Sequence, residues 1–287
     1  MPDTGPVSQP ARIVGLSGII AEVDAILCDV WGVLHNGVAA FPEAVDALKH
    51  ARASDVPVIL ITNAPRPADP VIQQLQDLGV SADAFDKVVT SGDVTRTLIA
   101  EHIPGPVFHL GPERDRPLFE GLEVAFADLA DAKVIVATGL FDDETEAAED
   151  YRPMLEEGVG RGLGMICANP DLVVDRGGRL VPCAGALADL YAEIGGVVSI
   201  AGKPHAPIYD RAFDLLSALM SRLPERARVL VVGDGVRTDL AGAVAQDLPC
   251  LFVTDGIHAG DGSADALNTL FRRAKLWPAY VLDALRW

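Results

Sequence analysis

With 287 residues, 49% of them hydrophobic and 22% charged, the chain can bury one large core or two modest ones and has the balance of a soluble globular protein. A formal net charge of −18 gives a surface that repels phosphate backbones, which excludes nucleic acid as a partner class. No apolar run reaches the roughly 18 residues of a membrane helix, so no membrane partner is expected either. The opening MPDTGPVSQPAR lacks a basic start followed by an apolar stretch, and the four cysteines are scattered with no CxxC pair. Both features point to a cytoplasmic protein with reduced thiols.

In chain order, the first strands are predicted at AILCDV (25–30), VPVILITN (56–63) and KVVTS (87–91), and two more at RVLVVGDG (228–235) and PCLFVTDG (249–256). These runs are apolar throughout instead of alternating, the pattern of parallel strands covered on both faces. Helical spacing fills the gaps at Phe41–Arg52, Pro67–Leu78, Thr95–His102, Ala206–Leu223 and Thr238–Asp247. Strand and helix alternating in this way predict an α/β fold with a doubly wound parallel sheet, whose ligands bind at the carboxyl ends of the strands.

The middle of the chain repeats the α/β pattern on its own account. Strands are predicted at PVFHLG (106–111), AKVIVATG (132–139) and MICANPD (165–171). Helices are predicted over the acidic stretch Asp142–Glu157 and near Ala184–Glu193, with a hairpin around Asp175–Gly178. Pro104-Gly105-Pro106 and Gly195-Gly196 read as hinges. The expected organisation is a core domain of residues 1–103 and 197–287, interrupted by an inserted α/β cap at 104–196.

Polar residues fall where the buried core strands should end: Asp29 in AILCDVWGVL, Thr62-Asn63 closing VILITN, Lys203 in AGKPH, and Asp234 with Asp239 in VVGDGVRTD. Clustered carboxylates repel one another unless a cation sits among them, and an all-oxygen donor set favours magnesium. A lysine adds charge suited to an anionic substrate, and backbone N–H groups after Thr62, at a helix start, could cradle a phosphate. Taken singly each has a bland alternative: Asp29 as a strand end, Thr62-Asn63 as a turn before Pro65, Asp239 as a helix cap. Cys28 faces the other side of its strand from Asp29 and reads as core.

The set DVWGVLHNG, ITNAPRP, GKPHAPIY and GDGVRTDLAGA, in that order, resembles the haloacid dehalogenase superfamily. Within it the likeness is to the class IIA branch, the phosphatases related to nitrophenyl-phosphatases and the N-acetylglucosamine-operon phosphatase. The resemblance implies a phosphohydrolase for a small phosphorylated metabolite, with Asp29 forming an aspartyl-phosphate that water then hydrolyses. It also implies that Thr62 and the backbone of Asn63 and Ala64 hold the phosphoryl oxygens, and that Lys203 neutralises the nucleophile and the substrate. Magnesium would be bound by Asp29, Asp234 and the main-chain carbonyl of Trp31, with Asp239 in support. By analogy the cap chooses the substrate through residues near 140–152 and 168–175, and a homodimer is expected.

One position departs from that pattern. Phosphatases of the superfamily carry a general acid–base aspartate two residues after the nucleophile, and here the residue is Trp31. An indole N–H donates but does not titrate usefully, and a positioned acid–base is worth roughly 10²–10⁴-fold in rate. Three readings follow: a phosphatase for leaving groups that need no proton, such as acyl or aryl phosphates; a substitute among His35, His205 and His258; or a catalytically weak or inactive phosphate-binding relative. Haloacid dehalogenases carry an aromatic residue at this position too, so carbon–halogen hydrolysis is a further alternative.

Overall fold

The computed structural model describes residues 9–176, 178–256 and 263–287. Four strands come first: β1 (Ala11–Arg12), β2 (Ala25–Cys28), β3 (Val58–Thr62) and β4 (Lys87–Thr90). The middle of the chain supplies β5 (Val107–Leu110), β6 (Val134–Ala137), β7 (Gly164–Cys167), β8 (Val173–Arg176), β9 (Arg179–Pro182) and β10 (Val197–Ile200). Then come β11 (Val229–Gly233), β12 (Cys250–Val253) and β13 (Tyr280–Leu282). A seven-stranded sheet has the order β1-β13-β12-β11-β2-β3-β4, a four-stranded sheet the order β10-β7-β6-β5, and β8 and β9 form an antiparallel hairpin.

The chain divides into two compact units. The first comprises the described residues up to Leu60, Leu78–Lys87, and those from Ala212 onward; the second comprises Ile61–Asp77 and Val88–Arg211. In the first unit, every residue of β2, β11 and β12 is buried, as the uninterrupted apolar runs predict. Parallel pairing sets Cys28 opposite Val232 and Gly233 opposite Phe252, so the carboxyl ends of β2, β11 and β12 lie level. The residues that follow those ends emerge along one edge of the sheet.

In the second unit the parallel strands β5, β6 and β7 are covered on both faces. Ile135, Ala137, Met165 and Cys167 pack with Leu155, Leu187 and Tyr191 of the helices Arg152–Gly160 and Ala184–Glu193. Val134, Val136 and Ile166 point the other way, onto Ile99, Leu118 and Phe119. Period-two alternation therefore feeds two cores at once.

Three predicted helices differ in extent. The stretch 142–157 does not form one helix: Asp142 accepts bonds from the Glu144 N–H (3.0 Å) and the Thr145 hydroxyl (2.7 Å), closing a turn that competes with helix formation. A short 3₁₀ segment follows, and the helix Arg152–Gly160 starts only at Arg152-Pro153, where proline suits a first turn. The helix predicted from Thr95 begins instead at Ser91, because the Thr90 hydroxyl caps it by accepting from the Asp93 N–H at 2.9 Å. The helix predicted over Thr238–Asp247 splits into a π-helical turn, Val236–Leu240, and a short α-helix, Ala241–Ala245. Among the described residues, no helix is long and apolar enough to cross a membrane.

Candidate active site

β2 ends at Cys28, and Asp29 continues its line by donating its N–H to the Val232 carbonyl at 2.8 Å. The Asp29 carboxylate is 7% exposed and accepts the N–H of Val30 at 2.7 Å. The chain then turns sharply, with Gly32 at φ +83° and its N–H on the His35 carbonyl at 2.8 Å. That conformation suits glycine alone, and so does the space: a β-carbon on Gly32 would lie 2.2 Å from Asp234 Oδ2.

Asp234 follows β11 as Asp29 follows β2. Asp239 is carried back toward the same strand end by the π-helical turn, a distortion that recurs at functional sites. Its carboxylate is fully buried and accepts from the Gly235 N–H at 3.0 Å and the Thr238 hydroxyl at 3.3 Å. Asp29, Asp234 and Asp239 thus each bring a carboxylate oxygen within 4.8 Å of the others. Gly233 and Gly256 also press on this group, since β-carbons there would sit 2.2 Å from Asp239 Cγ and 2.0 Å from Asp234 Oδ2. Three buried carboxylates this close need a cation or shared protons, and their hard oxygen donors suit magnesium.

Trp31 is half-buried and folded into its own loop. Its indole lies against Gly37, where a β-carbon would come within 2.6 Å of the ring, and meets the edge of His35 at a centroid distance of 4.9 Å. His35 is buried and its Nδ1 accepts the Gly37 N–H at 2.9 Å, which leaves the ring proton on Nε2 in the neutral form. His205 is exposed. His258 lies outside the described residues.

The remaining sequence candidates belong to the second unit. Thr62 is buried at the end of β3, and its hydroxyl accepts the Ala64 N–H at 3.3 Å. The expected helix start does not follow directly: the helix there spans Ala68–Asp77. Asn63 has a role that sequence reasoning missed. Its Oδ1 accepts the Lys203 N–H at 2.8 Å and its Nδ2 donates to the Lys203 carbonyl at 3.4 Å and to Asp171 at 2.9 Å. The side-chain amide therefore brackets the backbone of Lys203, whose own side chain is 2% exposed. Gly202 makes that approach possible, because a β-carbon there would fall 2.6 Å from Asn63 Oδ1. Nothing in the local sequence around Asn63 announces a partner 140 residues away.

Comparison with known proteins identifies the family. A model of the family described as haloacid dehalogenase-like hydrolase matches residues 26–125, and a HAD-hydrolase-like model matches residues 200–287. The D-glycerol 3-phosphate phosphatase of Mycobacterium tuberculosis is 32% identical over 281 residues, covering 94% of this chain and 72% of that protein. The chain belongs to the haloacid dehalogenase-like hydrolases. The hydrolase is also similar to the ribonucleotide monophosphatase NagD of Escherichia coli, at 26% identity over 88% of this chain and 95% of that protein. A crystal structure of a haloacid dehalogenase-like hydrolase from Brucella suis superposes with a TM-score of 0.87 at 45% identity, covering 96% of this chain and 99% of that one. These matches put the hydrolase in class IIA, among phosphoric monoester hydrolases.

Proposed function

We propose that this hydrolase is a magnesium-dependent phosphatase of small phosphorylated metabolites, working through an aspartyl-phosphate on Asp29. The observation that carries the proposal is the buried triad of Asp29 and Asp234, just beyond the carboxyl ends of β2 and β11, with Asp239, carried to them by the π-helical turn. In this reading an Asp29 oxygen attacks phosphorus and the bond to the leaving oxygen breaks. Water then attacks the phosphorus of the acyl phosphate, releasing inorganic phosphate and restoring the carboxylate. Asp29, Asp234 and the Trp31 carbonyl hold the magnesium, with Asp239 in support. When bound, the ion neutralises the carboxylates and the phosphoryl charge, the contribution on which phosphoryl transfer mainly depends. Thr62 and the backbone at Asn63 and Ala64 take phosphoryl oxygens, and Lys203, its backbone fixed by Asn63, supplies positive charge. Residues 104–196 act as the cap that selects the leaving group.

Trp31 narrows the substrate class. With His35 Nδ1 occupied by a backbone N–H, the loop after the nucleophile offers neither a carboxyl acid nor a vacant imidazole nitrogen at Nδ1. Leaving groups that depart without a proton, as in acyl and aryl phosphates, suit such a site best. The test is a phosphate-release assay across aryl, acyl and alkyl phosphates with and without magnesium. The reading expects magnesium-dependent turnover of aryl or acyl phosphates, abolished by Asp29→Asn. Tight binding of phosphorylated ligands without turnover would favour the non-catalytic relative, and metal-independent halide release from a 2-haloacid would favour a dehalogenase.

A further inference from the structure

The second unit contains a charged constellation whose individual residues the phosphatase reading leaves without a role. Its residues come from the carboxyl ends of successive parallel strands: Arg114 and Asp115 after β5, Thr138 and Asp143 after β6, and Arg176 on the hairpin that follows β7. Asp143 is 6% exposed, and its Oδ2 accepts from Arg114 and, at 3.0 Å, from Arg176, which also reaches Oδ1 at 3.4 Å. Two guanidiniums are thereby held side by side on one buried carboxylate oxygen. One would satisfy its charge; the second is in surplus.

The surroundings deepen the surplus. Asp115, also buried, feels Arg114 and Arg66, so three guanidiniums face two carboxylates, and burial pushes the Asp115 carboxyl toward its neutral form. The neighbouring acidic groups are committed to local bonds: Asp142 to the Glu144 N–H and the Thr145 hydroxyl, Glu146 to the Asp142 N–H, and Asp171 to Asn63. Both arginine heads nevertheless reach solvent, with side-chain exposures of 52% for Arg114 and 34% for Arg176. Each keeps N–H donors beyond those spent on Asp143, arranged in the planar fork that matches a carboxylate or phosphate.

We propose that Arg114 and Arg176, aligned by Asp143, form a binding site for a small anion bearing a carboxylate or phosphate group. In a protein with a net charge of −18, such a site would concentrate an anion that the rest of the surface repels. The inference concerns the second unit alone and stands or falls separately from the reaction at Asp29.

The experiment uses the full chain, deuterated and ¹⁵N-labelled, and follows the arginine Nε–Hε signals, with those of Arg114 and Arg176 assigned through Arg114→Lys and Arg176→Lys. Inorganic phosphate and malonate are titrated separately against sodium chloride of equal ionic strength. Saturable shifts of both signals, with a dissociation constant below ~10 mM for at least one probe, are expected. Saturation by phosphate alone assigns a phosphoryl ligand and saturation by malonate alone a carboxylate, either one in support. Shifts that track chloride, or that fail to saturate, overturn the site. In Arg176→Gln the affinity read at Arg114 should fall at least tenfold, and an unchanged affinity would refute the paired arrangement. Because the wild-type titration does not depend on Arg176→Gln, failure of that variant to fold leaves the proposal testable.

Discussion

At the scale of single residues, Trp31 carries the sharpest expectation. If the fold supports phosphoryl transfer and lacks only a proton donor, Trp31→Asp should raise kcat/KM on alkyl phosphates by roughly 10²–10⁴-fold and change aryl phosphates far less. A uniform change across both substrate classes would show that the indole matters for packing instead. Gly32 gives the opposite kind of test. Gly32→Ala adds one methyl group 2.2 Å from Asp234 Oδ2 at a left-handed turn, so it should cost both magnesium affinity and turnover. Metal titration by calorimetry checks this, and wild-type affinity in the variant would rule out steric crowding at the triad.

At the scale of elements, two positions yield stability tests. His109, on β5, is buried with its Nε2 2.9 Å from the Thr138 hydroxyl and its ring edge against Phe119. Burial, helped by Arg116, pulls its pKa down to about 4. Because the folded value lies below the unfolded one near 6.5, the unfolded chain binds the extra proton first. The contribution is whole above pH 6.5 and is lost as pH falls toward 4, by about 3 kcal/mol. Wild type should therefore lose more stability than His109→Gln between pH 7 and pH 4.5 in urea titrations, and parallel losses would contradict the assignment. The helix Ala264–Ala274 ends on Lys275 at φ +58°, so Lys275→Gly should stabilise by about 0.5–1 kcal/mol, read as a higher Tm.

The elements also show what the sequence could convey. Strands such as β2, β11 and β12 are readable because burial on both faces writes itself as unbroken apolar runs. The two-residue β1 and the three-residue β13 are too short to leave a pattern, and β10, though apolar at Val197, Val198 and Ile200, directly follows Gly195-Gly196, a pair that reads as a hinge. The acidic stretch after Phe141 misleads because helix formers such as Glu144 and Glu146 sit beside an Asp142 that closes a turn. At the site, Asp29, Asp234 and Asp239 are readable from their place after apolar runs, and the structure brings them together. The bracket that Asn63 makes around Lys203 is not, since a side-chain amide pairing with a distant backbone leaves no local periodicity.

For the whole molecule, the charge of −18 is the dominant long-range quantity. Like charges oppose the compact state, and salt near 0.15 M screens them beyond about 8 Å. Tm should accordingly rise with sodium chloride between low and moderate ionic strength; a fall would mean that ion pairs such as Arg222–Asp24 and Arg228–Asp24 outweigh the repulsion. The glycines that crowd the carboxylates carry a different consequence, one for how the protein can vary. Since Gly32, Gly233 and Gly256 each border Asp234 or Asp239 with no room for a β-carbon, the smallest chemical change available to a protein, a single added methyl, is barred at three places around the triad. In a library of all single substitutions selected for activity, these positions should be as depleted as the aspartates themselves. The carboxylates of the triad would then be guarded from drift by residues that have no chemistry of their own.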